Sequence, residues 1–574
     1  MDVLVVDLTH GGVKIAIELG KLGQFDNVYA YDIYNTLKED EKHRLHSYNI
    51  KLLDNENDLK NYILNFIIIN DLKISNSNIS NLEISNSKIS NSKISNLKFS
   101  NSKTSDDNEL LIVNPVHSSF NVFNMINNQN YNFIKSIDSI KENNSISSIN
   151  FINYKNFIKE INHHKAVNLI LNKWKKKLNH ENIPVIEVTG VKGKTSVVKM
   201  LKEILIDKNP IVLSSLGANL YKDDKKIILK ENISITPASI LETVNLAKKI
   251  ANPDCIKTGE IDNLDYGVLD YGACIFESSL GVTGMGDVGV LTNIVENYSI
   301  AKNTSNARNA KQQVFDCDIV AIEKETLEKH YSEKIDGDVN INTFSFSDKN
   351  AHLFVEEVKF DLNKTNIKII YNNIKTNFGK ILNGHLNIDV FAPGKHHVLN
   401  VLATVTAALS CDIDEDIIIS GLAKFMGIKG RTSLKTQENQ IIIEEINPGI
   451  NTKAIESSIN MINNLKDYVI IIGGKYGVTC EEIDENKVAN LLDNLLYNIL
   501  DISNGKLDKK NQDSYLNNKF NLILTDDLGK EIGKRMKNTV KFIEDPIEAQ
   551  KLAVENNKNV LFIYRSNYSQ MNKR

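Results

Sequence analysis

The stretch Val185–Ser196, VIEVTGVKGKTS, constrains this chain more than any other. Val185–Val188 reads as a strand. It runs into Thr189-Gly190-Val191-Lys192-Gly193-Lys194-Thr195-Ser196, and Val197, Leu201, Ile204 and Leu205 then recur at helical spacing. Strand, glycine loop and helix in that order form a phosphate cradle. Backbone N–H groups and a helix N-terminus converge on an anion, and the glycines let the backbone come close. Lys194 is placed to reach terminal phosphates and Thr195 to put its hydroxyl on Mg²⁺. A plain turn before a surface helix is the competing reading, and the flanking strand and helix count against it.

At 574 residues the chain exceeds one core, and two to four domains are expected. Hydrophobic residues at 41% and charged residues at 24% are ordinary for a globular protein. A net charge of −4 excludes a general nucleic-acid binder. The five cysteines form no C-x-x-C, so reduced buried thiols are expected rather than a zinc ribbon or a disulfide framework. No apolar run spans a bilayer, and the N-terminus lacks a basic leader segment. A soluble, cytoplasmic protein with no membrane partner is expected.

The N-terminal region opens as βαβ. Val3–Val6 reads as a strand, Asp7–Gly12 as a loop, Val13–Leu22 as a helix, and Val28–Tyr31 as a second strand ending at Asp32. The G-x-G-x-x-G fingerprint is absent, and His10 and Asp32 stand as either ligand-facing or loop-polar residues. From residue 72 the sequence is low in complexity, with five-residue units starting at Ile74, Ile79, Ile84, Ile89, Ile94 and Phe99. These are too few coils for a solenoid, and their centres are mostly Ser, so a polar disordered insertion is expected. Leu110–Val113 resumes the fold and leads to Asn114-Pro115-Val116-His117. Further on, His163 and His164 open a Lys-rich helix around Trp174. Without a third ligand at fixed spacing they predict a solvated helix start rather than a metal site.

Downstream, Ala273–Phe276 reads as a strand that delivers Glu277 beside the nucleotide, a usual place for a carboxylate on Mg²⁺. Thr292-Asn293 closes the next strand, and a helix carries Ala307, Arg308 and Lys311. Then come Pro393-Gly394-Lys395-His396-His397 with Asn400, and Gly427-Ile-Lys-Gly430-Arg431. Gln440–Ile443, Tyr468–Ile472, Asn521–Leu524 and Val560–Ile563 read as strands of a mostly parallel sheet. Glu444-Glu445-Ile446-Asn447 and Gly473-Gly474-Lys475-Tyr476-Gly477 read as its first two loops.

As an ordered set these motifs resemble the Mur ligase family, whose members use ATP to make an acyl phosphate that a nucleophile then displaces. The resemblance implies an α/β, three-domain Mur-ligase-like architecture. A Rossmann-like N-terminal substrate domain would cover 1–178 with an insertion at 72–108, a central P-loop ATP-binding domain 179–429, and a Rossmann-like C-terminal domain 430–574. It implies ATP and Mg²⁺ as cofactors. Thr189, Gly190, Lys192, Gly193, Lys194, Thr195, Ser196, His397, Asn400 and Arg431 would bind ATP. Thr195, Glu277 and Lys311 would hold the metal, Lys311 matching the family lysine that is carbamylated. Lys194, Lys311 and Arg431 would be catalytic, the guanidinium neutralising charge on the transferred phosphoryl group. Tyr298 stands where the family has a metal-ligand histidine, and His397 where it has Asn.

Within the family, Asp7–Gly12, Asn114–His117, Asn447–Lys453 and Gly473–Asp484 are most similar to the branch that closes a carbocycle on a nickel seco-tetrapyrrole. That branch activates a propionate, and a ring carbon then attacks it, releasing ADP and phosphate. The resemblance thus implies a small-molecule nickel tetrapyrrole substrate, with His10, His117 and Lys453 near the rim of its cleft. An amide ligase is the alternative. A nucleotide-binding scaffold without turnover is disfavoured, because Lys194, Glu277, Lys311 and Arg431 are all present.

Deleting residues 74–103 is expected to leave stability and activity close to those of the intact chain, since loop-closure entropy changes slowly with length. Melting and turnover measurements on the deletion variant check this, and loss of soluble protein would contradict it.

Overall fold

The structure is a computed structural model that describes residues 1–76, 109–116, 118, 157–223, 225–251, 270–300, 305–335, 337–437, 440–447, 450–462, 468–476, 483–503, 521–556 and 558–566. The insertion expected to be disordered from residue 72 is corrected at its start, where residues 72–76 continue the helix Glu56–Asn76; the repeat from residue 77 onward, His117, Gly477 and the His10 side chain lie outside the described residues.

Three main sheets organise the chain. In the first, strands Lys51–Leu53, Val28–Tyr31, Asp2–Val6, Leu110–Val113 and Ile158–Ile161 lie side by side in that order, all parallel. Continuous apolar runs such as Leu110–Val113 suit strands buried on both faces. One face is covered by the helix Glu56–Asn76 through Leu59, Tyr62 and Ile63.

The second sheet has 11 strands. Val185–Thr189 is fully buried near its middle, between Val288–Leu291 and Cys274–Glu277, and parallel to both. The ends of these three strands carry the phosphate loop, Thr292 and Glu277. In a parallel sheet such strand ends form the binding edge. Towards its flanks the sheet turns antiparallel, at Thr365–Lys375 with Ile381–Val390 on one side and Gly217–Lys222 with Lys225–Lys230 on the other.

The third sheet begins with the hairpin Arg431–Gln437 and Gln440–Ile446 and continues parallel through Asn559–Arg565, Tyr468–Gly474, Asn521–Thr525 and Lys541–Ile543. The expected strand at Gln440–Ile443 thus runs on through Glu444 and Glu445, which the sequence reading assigned to a loop. Antiparallel pairing extends it, with Glu444 opposite Ser433 and Glu445 opposite Arg431.

The first two sheets share a core. The helix His163–His180 starts at Asn162, whose side chain accepts the Lys165 N–H at 2.9 Å. Its apolar face packs both ways, so one apolar cluster runs from Val3, Val5 and Ile15 through Trp174 to Val185, Ile211 and Phe276. Trp174 is fully buried and donates Nε1–H to the Tyr271 hydroxyl at 2.8 Å. Lys175 pairs with Asp287 at 2.6 Å, and Asp287 also accepts the Val185 N–H at 2.7 Å. At the same seam Gly11 has φ +96°, and a Cβ there would lie 2.2 Å from the Ala238 Cβ. Lys14 and Lys230 both pair with Glu242, at 2.5 and 2.6 Å.

His163 and His164 are buried, only 3% and 2% exposed, so the solvated helix start expected from the sequence is corrected. The surface that covers them belongs to segments far away in the chain. Among the described residues no group of three His, Cys, Asp or Glu side chains is arranged to hold a metal, and no helix is long and apolar enough to cross a membrane. Cys274, Cys317 and Cys411 are buried free thiols.

Trp174→Ala is expected to destabilise the protein by about 3–5 kcal/mol, the usual cost of emptying a buried aromatic site. Denaturant unfolding checks this, and an unchanged midpoint would show that the seam does not depend on this ring.

Candidate active site at the phosphate loop

The loop between Thr189 and Lys194 is tightly held. Gly190 has φ +144° and Gly193 φ +85°, conformations open to glycine and strained for other residues. Space is a second constraint: a Cβ on Gly190 would lie 1.9 Å from the Thr292 hydroxyl, and one on Gly193 2.0 Å from Asn400 Oδ1. Thr292 and Asn293 clamp the crown of the loop. The Lys192 carbonyl accepts the Thr292 hydroxyl at 2.6 Å and Asn293 Nδ2 at 3.2 Å, and the Lys192 N–H donates to Asn293 Oδ1 at 3.1 Å. Lys194 folds back on the Gly190 carbonyl at 3.1 Å. Ser196 lies in the first turn of the following helix.

Thr195 is the meeting point. Its buried hydroxyl donates to Glu277 Oε1 at 3.0 Å and lies 3.1 Å from the Ser215 hydroxyl. The Ser215 N–H donates to Glu277 Oε2 at 3.0 Å. From the third sheet, Arg431 Nη1 donates to the Thr195 hydroxyl at 2.8 Å. A bulge at Thr432 permits that reach. The hairpin register shifts between Arg431 and Ser433, and Thr432 has φ +52°, rare for a β-branched residue. Thr432 donates its hydroxyl to Glu445, which lies near both Arg431 and Lys192. Burial pushes the Glu445 carboxyl up, opposed by the Thr432 hydrogen bonds and the Arg431 charge.

Lys311 ends the short helix Ala307–Lys311 and is fully buried, its ammonium group donating to the Ser279 carbonyl. Burial, with the Lys194 charge adding to it, pushes the Lys311 amine down to about 7. It is therefore partly neutral at neutral pH, the state in which a lysine can act as a nucleophile. Tyr298 closes the chain onto this helix, its carbonyl accepting the Ala307 N–H at 2.9 Å. Asn400, on the helix Lys395–Ser410, meets the loop at Gly193, and His397, three residues earlier on that helix, sets its ring 3.8 Å from that of His396. Asp32, in contrast, is engaged by its own loop, accepting the N–H groups of Thr36 and Leu37 at 2.6 and 2.7 Å. Lys453 is an exposed residue at the start of the helix Thr452–Ile462.

Next to this constellation is a cavity of about 440 Å³. Ser215 and Ser279 line it on the phosphate-loop side, and Pro115, Val116, His163 and His164 come from the first sheet and the seam helix. The segment Ile233–Pro237 and Leu280 complete its lining. Sequence reasoning missed Ser215, Glu445 and this cavity. A Ser following an apolar strand is the single local signal for Ser215, and it is a common one.

The Mur ligase middle domain matches residues 188–408, and the domain described as coenzyme F430 synthetase CfbE, C-terminal domain, matches residues 434–567. Coenzyme F(430) synthetase of Methanocaldococcus jannaschii is 29% identical over 57% of this chain and 66% of its own length. The enzyme of the same name from Methanosarcina acetivorans is 27% identical over 58% of this chain and 69% of its own length. The chain thus spans about two thirds of the curated relatives it matches. Among solved structures, MurF from Acinetobacter baumannii is similar at a TM-score of 0.46 and 14% identity, over 72% of this chain and 80% of that one.

Lys311→Arg is expected to be nearly inactive. The guanidinium stays charged and cannot carry a carbamate, and it would stand beside Lys194 with no counter-charge. Steady-state turnover with saturating nucleotide checks this. Near-normal turnover would reduce Lys311 to a packing residue.

Proposed function

Because the chain joins a Mur ligase middle domain to a C-terminal domain of the coenzyme F430 synthetase type, we propose that it is an ATP-dependent cyclo-ligase that completes coenzyme F430 in the cytoplasm. Its substrate in this reading is a nickel seco-tetrapyrrole. One propionate carboxylate is activated as an acyl phosphate, a ring carbon displaces the phosphate, and ADP and phosphate leave. Residues 179–429 form the ATP-binding part, 1–178 the substrate-facing part, and 430–574 the part that contributes Arg431.

The observation that supports the activating step is the convergence on Thr195 of Glu277 from the central sheet and Arg431 from the third. A carboxylate is a poor electrophile, and phosphorylation gives it a leaving group. Lys194 and Arg431 stand where they stabilise negative charge on the phosphoryl group in flight. Thr195 and Glu277 are hard oxygen donors and fit Mg²⁺, which when bound neutralises phosphate charge. Lys311, depressed to about 7, is suited to take up carbon dioxide and become an anionic carbamate facing the same ion. His397 and Asn400 border the loop on the side assigned to the adenine. The Gly190–Gly193 crown is already pinned by Thr292, Asn293 and Asn400, so little ordering remains when phosphates enter.

Ring closure and amide ligation share ATP and the acyl phosphate, and they differ in the nucleophile. A cyclo-ligase carries its nucleophile inside the substrate. The nickel seco-tetrapyrrole and ATP, with no amino acid present, are therefore expected to give ADP, phosphate and a product lighter than the substrate by one water. Mass measurement after single-substrate incubation checks this. Turnover only when an amino acid or peptide is added would assign the chain to the amide ligases instead.

A further inference from the structure

Ring closure leaves one proton without an acceptor. As the ring carbon attacks, its π electron pair forms the new C–C bond, and the C–O bond to phosphate breaks with its pair going to phosphate. The attacking ring carbon, now tetrahedral, must lose its C–H proton so that the C–H pair restores conjugation. At the phosphate loop Lys194 and Arg431 are cations, Thr195, Glu277 and Lys311 as its carbamate are assigned to the metal of the activating step, and Glu445 is engaged by Thr432 beside Arg431.

The cavity beside the loop supplies the acceptor. Ser215 and Ser279 join it to the activating machinery, since Ser215 lies 3.1 Å from Thr195 and the Ser279 carbonyl takes the Lys311 amine. In the ring-closing reading, an acyl group leaving the phosphate loop enters this cavity. Its other lining side chains are Pro, Val, Ser, Ile, Thr and Leu, apart from His163 and His164. Among the described residues, the two imidazoles are thus the only basic side chains that line the cavity. Both are almost fully buried, so a proton they take is not first competed for by bulk water. They are adjacent at the start of one helix whose N-cap, Asn162, fixes the turn.

We propose that the His163–His164 pair is the general base of the carbon–carbon bond-forming step, taking the proton from the attacking ring carbon while the activated arm occupies this cavity. The proposal rests on the ring-closing reading above. The pair touches the reacting carbon and plays no part in transfer of the phosphoryl group, so it separates the two half-reactions.

The test uses the full chain, ATP, Mg²⁺ and the nickel seco-tetrapyrrole, with hydroxylamine to trap acyl phosphate as hydroxamate. In the double variant His163→Gln/His164→Gln, trapped hydroxamate is expected within about twofold of the parent, and cyclised product is expected to fall by about 10²-fold or more. Added imidazole is expected to restore part of the closure. The single variants His163→Gln and His164→Gln are expected to lose less closure than the double, and they decide the matter if the double does not fold. Equal loss of hydroxamate and cyclised product in the singles would overturn the base role in favour of a positioning one, and undiminished closure in the double would overturn it outright. If the parent enzyme itself gives no cyclised product from the tetrapyrrole and ATP alone, the ring-closing reading fails, whatever the histidines do.

Discussion

Glu187 sits inside the central sheet, on the strand that ends in the phosphate loop, with no exposed surface. A carboxylate there would be costly by several kcal/mol if left unpaired. It instead accepts the N–H groups of Thr283, Met285 and Gly286 and the Thr283 hydroxyl, at 2.9, 3.1, 3.2 and 2.7 Å. Burial still pushes its carboxyl upward, against the pull of those donors. These bonds fold the segment after Glu277 back against the sheet. That path presents the Ser279 carbonyl to Lys311 and brings Gly281, at φ +108°, against the Ala310 carbonyl with no room for a Cβ. The position of the Lys311 helix therefore follows from a carboxylate more than a hundred residues earlier in the chain.

Much of this centre was legible in the sequence because its parts are local. A strand, two glycines, a lysine and a threonine in tandem can be read without knowing what surrounds them. Glu277 is legible from the strand that delivers it, and Lys311 from resemblance to the family motif. The remaining parts depend on pairings that no local pattern encodes. Arg431 reaches Thr195 because a bulge at Thr432 alters the hairpin register, and that register is set by the partner strand. Glu444 and Glu445 read as a loop because consecutive carboxylates rarely continue a strand. Lys435 pairs with Glu444, while Thr432 and Arg431 balance Glu445, and these partners keep them in one. His163 and His164 read as solvated because their cover comes from Pro115, Val116 and the Ile233–Pro237 segment.

The phosphate loop is shaped before any ligand arrives. Thr292 and Asn400 fill the volume that side chains at Gly190 and Gly193 would need, so each glycine is required twice over, for its backbone angle and for the neighbour pressed against it. A loop held this way spends little binding energy on its own ordering. Arg431 differs in kind. It comes from a separate sheet and touches the loop through a hydroxyl, which suits a group that must arrive, act and withdraw.

The shared core around Trp174 also bears on how the chain is made. One face of the first sheet is closed by its own helix, Glu56–Asn76, but the other is completed by Trp174, Ile211, Leu241 and Phe276. Those residues are synthesised long after Val3 and Val5. During translation the first sheet can form its strands and still has one apolar face open until the first half of the chain has emerged. A fragment ending at residue 178 would keep that face exposed to water and to other copies of itself. Sheet one is thus a separate layer of the architecture without being a separate unit of folding, and quality control in the cell meets the first half of the chain as one object.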